Sequence, residues 1–321
     1  MPRRTDANEA GGPWTRSLRR DLYDDNTAVR VAIIGAGLMG AQIGCEYALG
    51  GHDVVLHSRD AAAAHARAEA GLDLVERHAL RSAADVTRAR ARVTASPDTE
   101  AAADGADLLV ESLPEDLELK AASLRVALGA SPTAIVATNT SSLPITAVGT
   151  AIGAPGRTVG THYLNPPLLM PTVEVIAGEG TSAETLAFVR ETVASLGKLP
   201  ITVRRDVPGF AWNRLQFALV RELAWLVDNG VASAEDLDTV MREGLARRWR
   251  QVGPLRAITL GGIDTWNRSG RNIVPELSTA AELPDLHEVA ITGGNLAADA
   301  ARRDAALAAE LREPDGSNAH E

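Results

Sequence analysis

Residues 29–58 read VRVAIIGAGLMGAQIGCEYALGGHDVVLHS, and the order of textures within that run decides the fold. A short β-branched stretch leads into a glycine-rich turn, a helical stretch follows, and a second apolar run closes the segment. This is the pattern of a βαβ unit. Gly35, Gly37 and Gly40 form G-x-G-x-x-G directly after the first strand and at the opening of the helix, with Leu38 and Met39 in the same turn. Gly35 permits the tight turn, Gly37 lets the backbone approach a pyrophosphate, and Gly40 lets helix pack on strand. The helix N-terminus then offers unpaired N–H groups to phosphate oxygens, so the segment reads as a dinucleotide site.

The tip of the second strand refines that reading. An acidic residue there holds the adenosine ribose hydroxyls of NAD and repels the 2′-phosphate of NADP. Here the tip is His57, Ser58, Arg59. Ser58 is a small neutral donor, and Arg59 can lie against the adenine and grip a phosphate as a charged fork. The expectation is a preference for NADP(H), with NAD(H) possible; the alternative is an Arg59 that points into solvent.

Outward from this unit, strand and helix patterns alternate. Residues 107–111, 134–137, 158–162, 173–176 and 199–203 read as strands, and residues 61–84, 115–128 and 183–196 as helices. Alternation of this kind implies an α/β fold, a Rossmann-type doubly wound and largely parallel sheet covered by helices. Beyond Pro208 the pattern is almost wholly helical, with helices expected over 209–229 and 233–250 and an N-cap at Ser233. The expected organisation is a tail over 1–28, a dinucleotide-binding domain over 29–205, and a helical substrate and dimerisation domain over 206–321.

Composition excludes several classes. A net charge of −10 argues against a nucleic-acid surface, which needs clustered, uncompensated basic residues. The first 28 residues are charged and lack an apolar core, so they do not read as a secretory signal, and no run is long enough for a membrane helix. A soluble, cytoplasmic protein acting on a small molecule is expected. The one cysteine, Cys45, cannot form an internal disulfide or a cysteine-based zinc site and reads as a core thiol; no metal is expected.

Chemistry-bearing residues concentrate between 138 and 214. TNTSSLP (138–144) follows a strand and so lies at a carboxyl edge, where open α/β sheets bind ligands. GTHYLNPP (160–167) places His162 at a strand end, and PTVEV (171–175) places Glu174 inside an apolar strand, where a buried carboxylate needs a partner. VPGFAWNRL (207–215) sets Asn213 and Arg214 at the start of a long helix. A histidine titrates near neutrality and can shuttle a proton in both directions, while a carboxylate on its other nitrogen fixes the tautomer.

Together with GAGLMG and VES, these pieces resemble the L-3-hydroxyacyl-CoA dehydrogenase family over roughly residues 29–265. The resemblance implies hydride transfer between a nicotinamide cofactor and a 3-hydroxy compound. It makes His162 the general acid/base, Glu174 its orienting carboxylate, and Ser141 and Asn213 hydrogen-bond donors to the substrate oxygen. Glu111 and Asn139 would lie near the nicotinamide. Family analogy also implies a homodimer through the helical domain.

Departures from the family bear on the substrate. In acyl-CoA members the segment equivalent to 61–84 faces the CoA nucleotide, usually with lysines; here Glu69, Asp73 and Glu76 mix with Arg67, Arg77 and Arg81. Residues 213–254 are more similar to the branch with L-gulonate 3-dehydrogenase, lambda-crystallin and carnitine dehydrogenase, which act on CoA-free 3-hydroxy acids. Arg248 and Trp249 match an Arg-aromatic pair of that branch, and an arginine fork suits a substrate carboxylate. The alternative is a solvated helix face shared with Arg242, Arg247 and Arg250. A dehydrogenase of the 6-phosphogluconate type would need a lysine on the interdomain helix, whereas the chain's lysines are Lys120 and Lys198. A non-catalytic crystallin-like role would need none of His162, Glu174, Ser141 and Asn213. Reduction of an imine or a 3-keto amine adduct stays open.

Overall fold

The computed structural model describes residues 28–291 and 295–312. Apart from Ala28, the expected N-terminal tail lies outside them. The first unit runs β1 (Arg30–Ile34), α1 (Leu38–Leu49), β2 (Asp53–His57), α2 (Ala61–Arg77), α3 (Ala83–Arg92), β3 (Val93–Ser96), α4 (Thr99–Ala103), β4 (Leu108–Glu111), α5 (Leu117–Ala130), β5 (Ile135–Thr138), α6 (Ile145–Ala151), β6 (Thr158–Tyr163), β7 (Thr172–Ala177), α7 (Ala183–Ser195) and β8 (Leu199–Val203). Its sheet has eight strands in the order β3-β2-β1-β4-β5-β6-β7-β8, all parallel to their neighbours except β6 and β7, which pair antiparallel. This is a Rossmann-type doubly wound sheet.

Alternate residues of β1 supply both faces of the sheet. Val31 and Ile33 belong to one core with Ile43, Leu72 and Val193, while Ala32 and Ile34 belong to another with Leu109, Ala121 and Leu124. A period of two with both faces apolar is what a strand buried between two helical layers requires. Cys45 lies in the first core, where its thiol donates to the Ala68 carbonyl at 3.3 Å. Burial pushes that thiol up to about 12, which suits an inert core group.

Two local features depart from the sequence pattern. The helix expected over 61–84 breaks after Arg77, because Ala79 adopts a φ of 50° and Ser82 starts a new helix through a capping box with Asp85. The four-residue strand β3 then joins the sheet edge, paired only to β2. Its run VTAS is too short to stand out as a strand.

The second unit comprises α8 (Trp212–Asp228), α9 (Ala234–Thr239), a π-helical turn Val240–Ala246, α10 (Arg247–Val252), α11 (Pro254–Gly261), α12 (Ile263–Ile273) and α13 (Leu286–Val289). Ser233 caps α9 by accepting from the Asp236 N–H. The compact units divide at Phe210, beyond the boundary expected near 205, and residues from Ala300 group with the first unit rather than the second. The reasons are local. Asp206 and Phe210 are held by residues of the first unit, and Leu311 of α14 (Leu296–Arg312) lines a cavity with Leu49, Val75, Leu80, Leu168 and Leu196.

Gly40 is where helix meets strand most closely: a Cβ there would lie 2.3 Å from the Gly35 carbonyl oxygen, which is backbone and cannot swing aside. Gly37, with nothing within 4 Å, carries no such constraint. In urea unfolding, Gly40→Ala is expected to lose about 1–3 kcal/mol, whereas Gly37→Ala stays within about 0.5 kcal/mol of the parent. Equal stability of the two variants would contradict the packing role assigned to Gly40.

Candidate active site

The C-terminal ends of β1, β2, β4, β5 and β6 converge on one edge of the first unit. At β1 the chain turns through Gly35, whose φ of 100° admits only glycine readily. The His57 carbonyl at the end of β2 accepts from both the Gly35 and Ala36 N–H groups, at 3.2 and 2.8 Å, so the turn and the β2 tip form one rigid piece. α1 starts without a side-chain cap, and the space that a side chain at Gly37 would fill is open. Free N–H groups beside an open cradle fit a dinucleotide pyrophosphate.

At the β2 tip, Ser58 accepts from the Asp60 N–H at 3.3 Å and Arg59 is exposed. Both nearby acids are committed elsewhere. Asp53 pairs with Arg92 at 2.9 Å, and Asp60 caps α2 through the Ala63 N–H at 2.9 Å. Arg67, from α2, reaches the Ala36 carbonyl at 3.5 Å and so adds positive charge beside the glycine turn.

His162 and Glu174 are direct partners in the β6–β7 ladder. His162 Nδ1 and Glu174 Oε2 lie 2.8 Å apart, with both residues buried, at 5% and 4% exposure. With the carboxylate ionised, Nδ1 is the donor, which leaves Nε2 as the nitrogen able to accept a proton. Asn139 joins the neighbouring strand ends: its Oδ1 accepts from the Tyr163 N–H at 2.9 Å and its Nδ2 donates to Ser112 Oγ at 3.3 Å. Lys198, buried, donates to the carbonyls of Pro167 and Met170 and pairs with Glu46 at 2.6 Å. It thereby pins the loop that joins His162 to Glu174.

Ser141 sits exposed on the loop after β5, and the order of that loop comes from a carboxylate. Glu115 accepts from the N–H groups of Ser141, Ser142 and Leu143 and from the hydroxyls of Thr140 and Ser142. Behind it, Glu111 is fully buried at the end of β4 and is engaged by Lys120 Nζ at 2.8 Å, by the Thr138 hydroxyl at 2.6 Å and by the Leu113 N–H. Lys120 also approaches Glu115 at 3.4 Å. Burial alone would raise the Glu115 carboxyl, but the Thr140 and Ser142 hydroxyls, the Ser142 N–H and the Lys120 charge outweigh it and hold the group at about 2.

Asn213, Arg248 and Trp249 belong to the second unit, Asn213 in the first turn of α8 and the other two on α10, where Arg248 is exposed. Residue typing of the sequence missed Glu115, Lys120, Lys198 and Arg67. Among the described residues, no group of three or more His, Cys, Asp or Glu side chains is arranged to hold a metal ion, and no helix is long and apolar enough to cross a membrane.

Comparisons with known proteins converge on one family. The sequence profile described as 3-hydroxyacyl-CoA dehydrogenase, NAD binding domain, matches residues 30–207, and that of the 3-hydroxyacyl-CoA dehydrogenase C-terminal domain matches residues 209–292. The 5-formyl-3-hydroxy-2-methylpyridine 4-carboxylate 5-dehydrogenase of Mesorhizobium japonicum is 38% identical over 77% of this chain and 81% of its own. The L-carnitine dehydrogenase of Streptomyces coelicolor is 33% identical over 84% of this chain and 87% of its own. A crystal structure of a 5-formyl-3-hydroxy-2-methylpyridine 4-carboxylic acid 5-dehydrogenase, described as an NAD+ dependent dismutase, superposes with a TM-score of 0.81 at 32% identity, covering 90% of this chain and 99% of that one.

The Glu115 geometry fixes a pH dependence. Its carboxyl lies below the ordinary value of 4.5 in the folded chain, so its stabilising contribution is complete above that value and is lost as pH falls from 4.5 toward about 2. Glu115→Gln removes this contribution. Urea midpoints measured at pH 7, 4.5 and 3 should therefore fall less steeply for the variant than for the parent below pH 4.5. Parallel pH profiles would show that the loop is not held by this charge.

Proposed function

The chain belongs to the 3-hydroxyacyl-CoA dehydrogenase family, and from that premise we propose that it interconverts a small, CoA-free 3-hydroxy carboxylate and its 3-oxo counterpart. At the coarser level it is an NAD(P)-dependent oxidoreductase of that family. The observation that carries the reading is the buried His162–Glu174 pair at the carboxyl edge of a dinucleotide-binding sheet. When bound, the nicotinamide supplies the hydride acceptor or donor.

In oxidation, His162 Nε2 accepts the hydroxyl proton as the carbonyl forms, and in reduction it returns that proton to the oxygen. Glu174 stabilises the imidazolium formed in between and fixes the ring tautomer. Ser141, on its Glu115-anchored loop, and Asn213 are the proposed donors to the developing alkoxide. Gly35, Gly37, Leu38, Met39 and Gly40 form the proposed pyrophosphate turn, with Ser58 and Arg59 at the adenosine end and Asn139 toward the nicotinamide. Glu111 serves the same region from behind, through Lys120.

A CoA-free substrate is supported by the electrostatics of α2. Glu69, Asp73 and Glu76 all converge on the one guanidinium of Arg90, the latter two at 2.6 and 3.1 Å, so this cluster keeps an excess of negative charge unsuited to a nucleotide phosphate. Arg248 is the proposed clamp for the substrate carboxylate, with Trp249 beside it. Exposed Leu215, Phe217, Leu255, Leu260 and Ile263 in the helical unit support a homodimer. A second reading keeps the site and changes the carbonyl to an aldehyde on a carboxylated aromatic ring. It is favoured by the extent of the match to the pyridine-carboxylate dehydrogenases. A panel of 3-hydroxy acids, their CoA thioesters and aromatic aldehyde acids separates the readings.

With the best substrate of that panel, His162→Asn should lower turnover by at least about 100-fold while leaving dinucleotide affinity nearly intact. Glu174→Gln should also damage turnover. Loss of cofactor affinity with an unchanged single-turnover rate would make His162 a structural residue.

The β2 tip carries a separate expectation. With Asp53 and Asp60 committed elsewhere, NADP(H) should bind more tightly than NAD(H). A charge-assisted hydrogen bond of about 1.5–3 kcal/mol corresponds to roughly 10- to 150-fold weaker NADP(H) binding in Arg59→Ala, with NAD(H) barely touched. Ser58→Asp should reverse the preference through added repulsion. Titrations in which both cofactors respond equally would count against Arg59 as a phosphate ligand.

A further inference from the structure

Phe210 is the last residue of the first unit, and its backbone is in a conformation that its side chain disfavours. Its φ is 50°, directly after 76° at Gly209. Glycine adopts such values freely, whereas a bulky residue does so only where its surroundings compel it. Here they do. The Phe210 N–H donates to the Val207 carbonyl at 2.9 Å, and the Asp206 carboxylate accepts from both the N–H and the hydroxyl of Thr146 at 2.7 Å. The side chain is 1% exposed and packs with Ile145, Ile176 and Val203.

Filling that cluster does not call for an aromatic ring, since every other member is aliphatic. What the strained turn delivers is a ring against an imidazole: the Phe210 and His162 centroids are 5.7 Å apart, with planes tilted by 59°. Glu174 holds the imidazole at a single atom, Nδ1. One hydrogen bond of tolerant angle lets the ring swing about that contact, and a swing carries Nε2 away from the reacting oxygen. A rigid ring tilted across the imidazole limits the freedom that the hydrogen bond leaves.

We propose that Phe210 is a positioning residue for His162, fixing the plane of the imidazole so that Nε2 meets the reacting oxygen. The proposal rests on the reading of His162 as the general acid/base. It assigns the strained turn at 209–210 a task in turnover rather than in packing.

The test compares Phe210→Leu and Phe210→Met with the parent, alongside His162→Asn. Both aliphatic replacements keep the cluster filled and ease the strain no further than any residue with a Cβ. Thermal unfolding, kcat, and KM for the dinucleotide and the carbonyl substrate are measured for each. The expected result is folded variants with dinucleotide KM within about 2-fold of the parent and kcat lower by about 10- to 100-fold, the scale of a small misplacement of a reacting group. Parent-like kcat in either variant overturns the proposal. So does a loss of kcat that disappears at a temperature where the variant is fully folded, or failure of both variants to fold, because each makes Phe210 a packing residue. Retained turnover in His162→Asn removes the acid/base reading itself, a result distinct from any of these.

Discussion

The site depends on one reversal of chain direction. Every strand pair in the sheet is parallel except β6 with β7. The connection over residues 164–171 is shorter than the dozen or more residues a parallel crossover needs, so β7 returns against β6. That return sets His162 opposite Glu174. A slip of one residue would send one of the two to the other face of the sheet and leave the remaining polar group buried without its partner. Register is therefore fixed by the same burial that brings the pair together: each group offsets the desolvation of the other.

Three loops of the first unit are each closed by a charge rather than by apolar packing. Lys198 holds the carbonyls of the 164–171 loop, Glu115 collects the N–H groups of the 140–143 loop, and Asp206 fixes the 205–210 segment to α6. Loop backbone has polar groups that no ladder satisfies, and a buried or half-buried ion can serve several of them at once. The compensation is matched in sign. The cation Lys198 faces carbonyls and Glu46, while the anions Glu115 and Asp206 face N–H groups and hydroxyls. These loops thus acquire rigidity that their own sequences do not supply.

How much of this could be read in the sequence follows from the range of each interaction. The glycine turn, the His–Glu pair and the alternation of strand and helix are local patterns or fixed spacings, and they were legible. β3 was not, because VTAS at a sheet edge carries too few residues for periodicity to register. The break after Arg77 did have a signal in the S-x-x-D spacing of Ser82 and Asp85, which the alanine-rich helical composition of 61–84 masked. Glu115 and Lys120 escaped for another reason. Glu115 binds mainly backbone N–H groups, which leave no trace in residue type, and Lys120 meets Glu111 only because a strand end and a helix face are brought together. The positive φ of Phe210 was equally hidden, since Pro208 and Gly209 announce a turn without saying which residue bears the strain.

The cofactor end joins these themes. Because the His57 carbonyl accepts from both Gly35 and Ala36, the β2 tip cannot shift without moving the glycine turn proposed to receive the pyrophosphate. The specificity proposed for Ser58 and Arg59 would act through charge and not through geometry: the backbone is already fixed, and the nearby acids are held by Arg92 and by the α2 N-terminus. Arg67, whose guanidinium reaches the Ala36 carbonyl, adds positive charge beside the same turn. An anionic group approaching this corner meets oriented N–H groups and guanidinium charge in a frame that needs no rearrangement, which is the condition under which electrostatic selection is strongest.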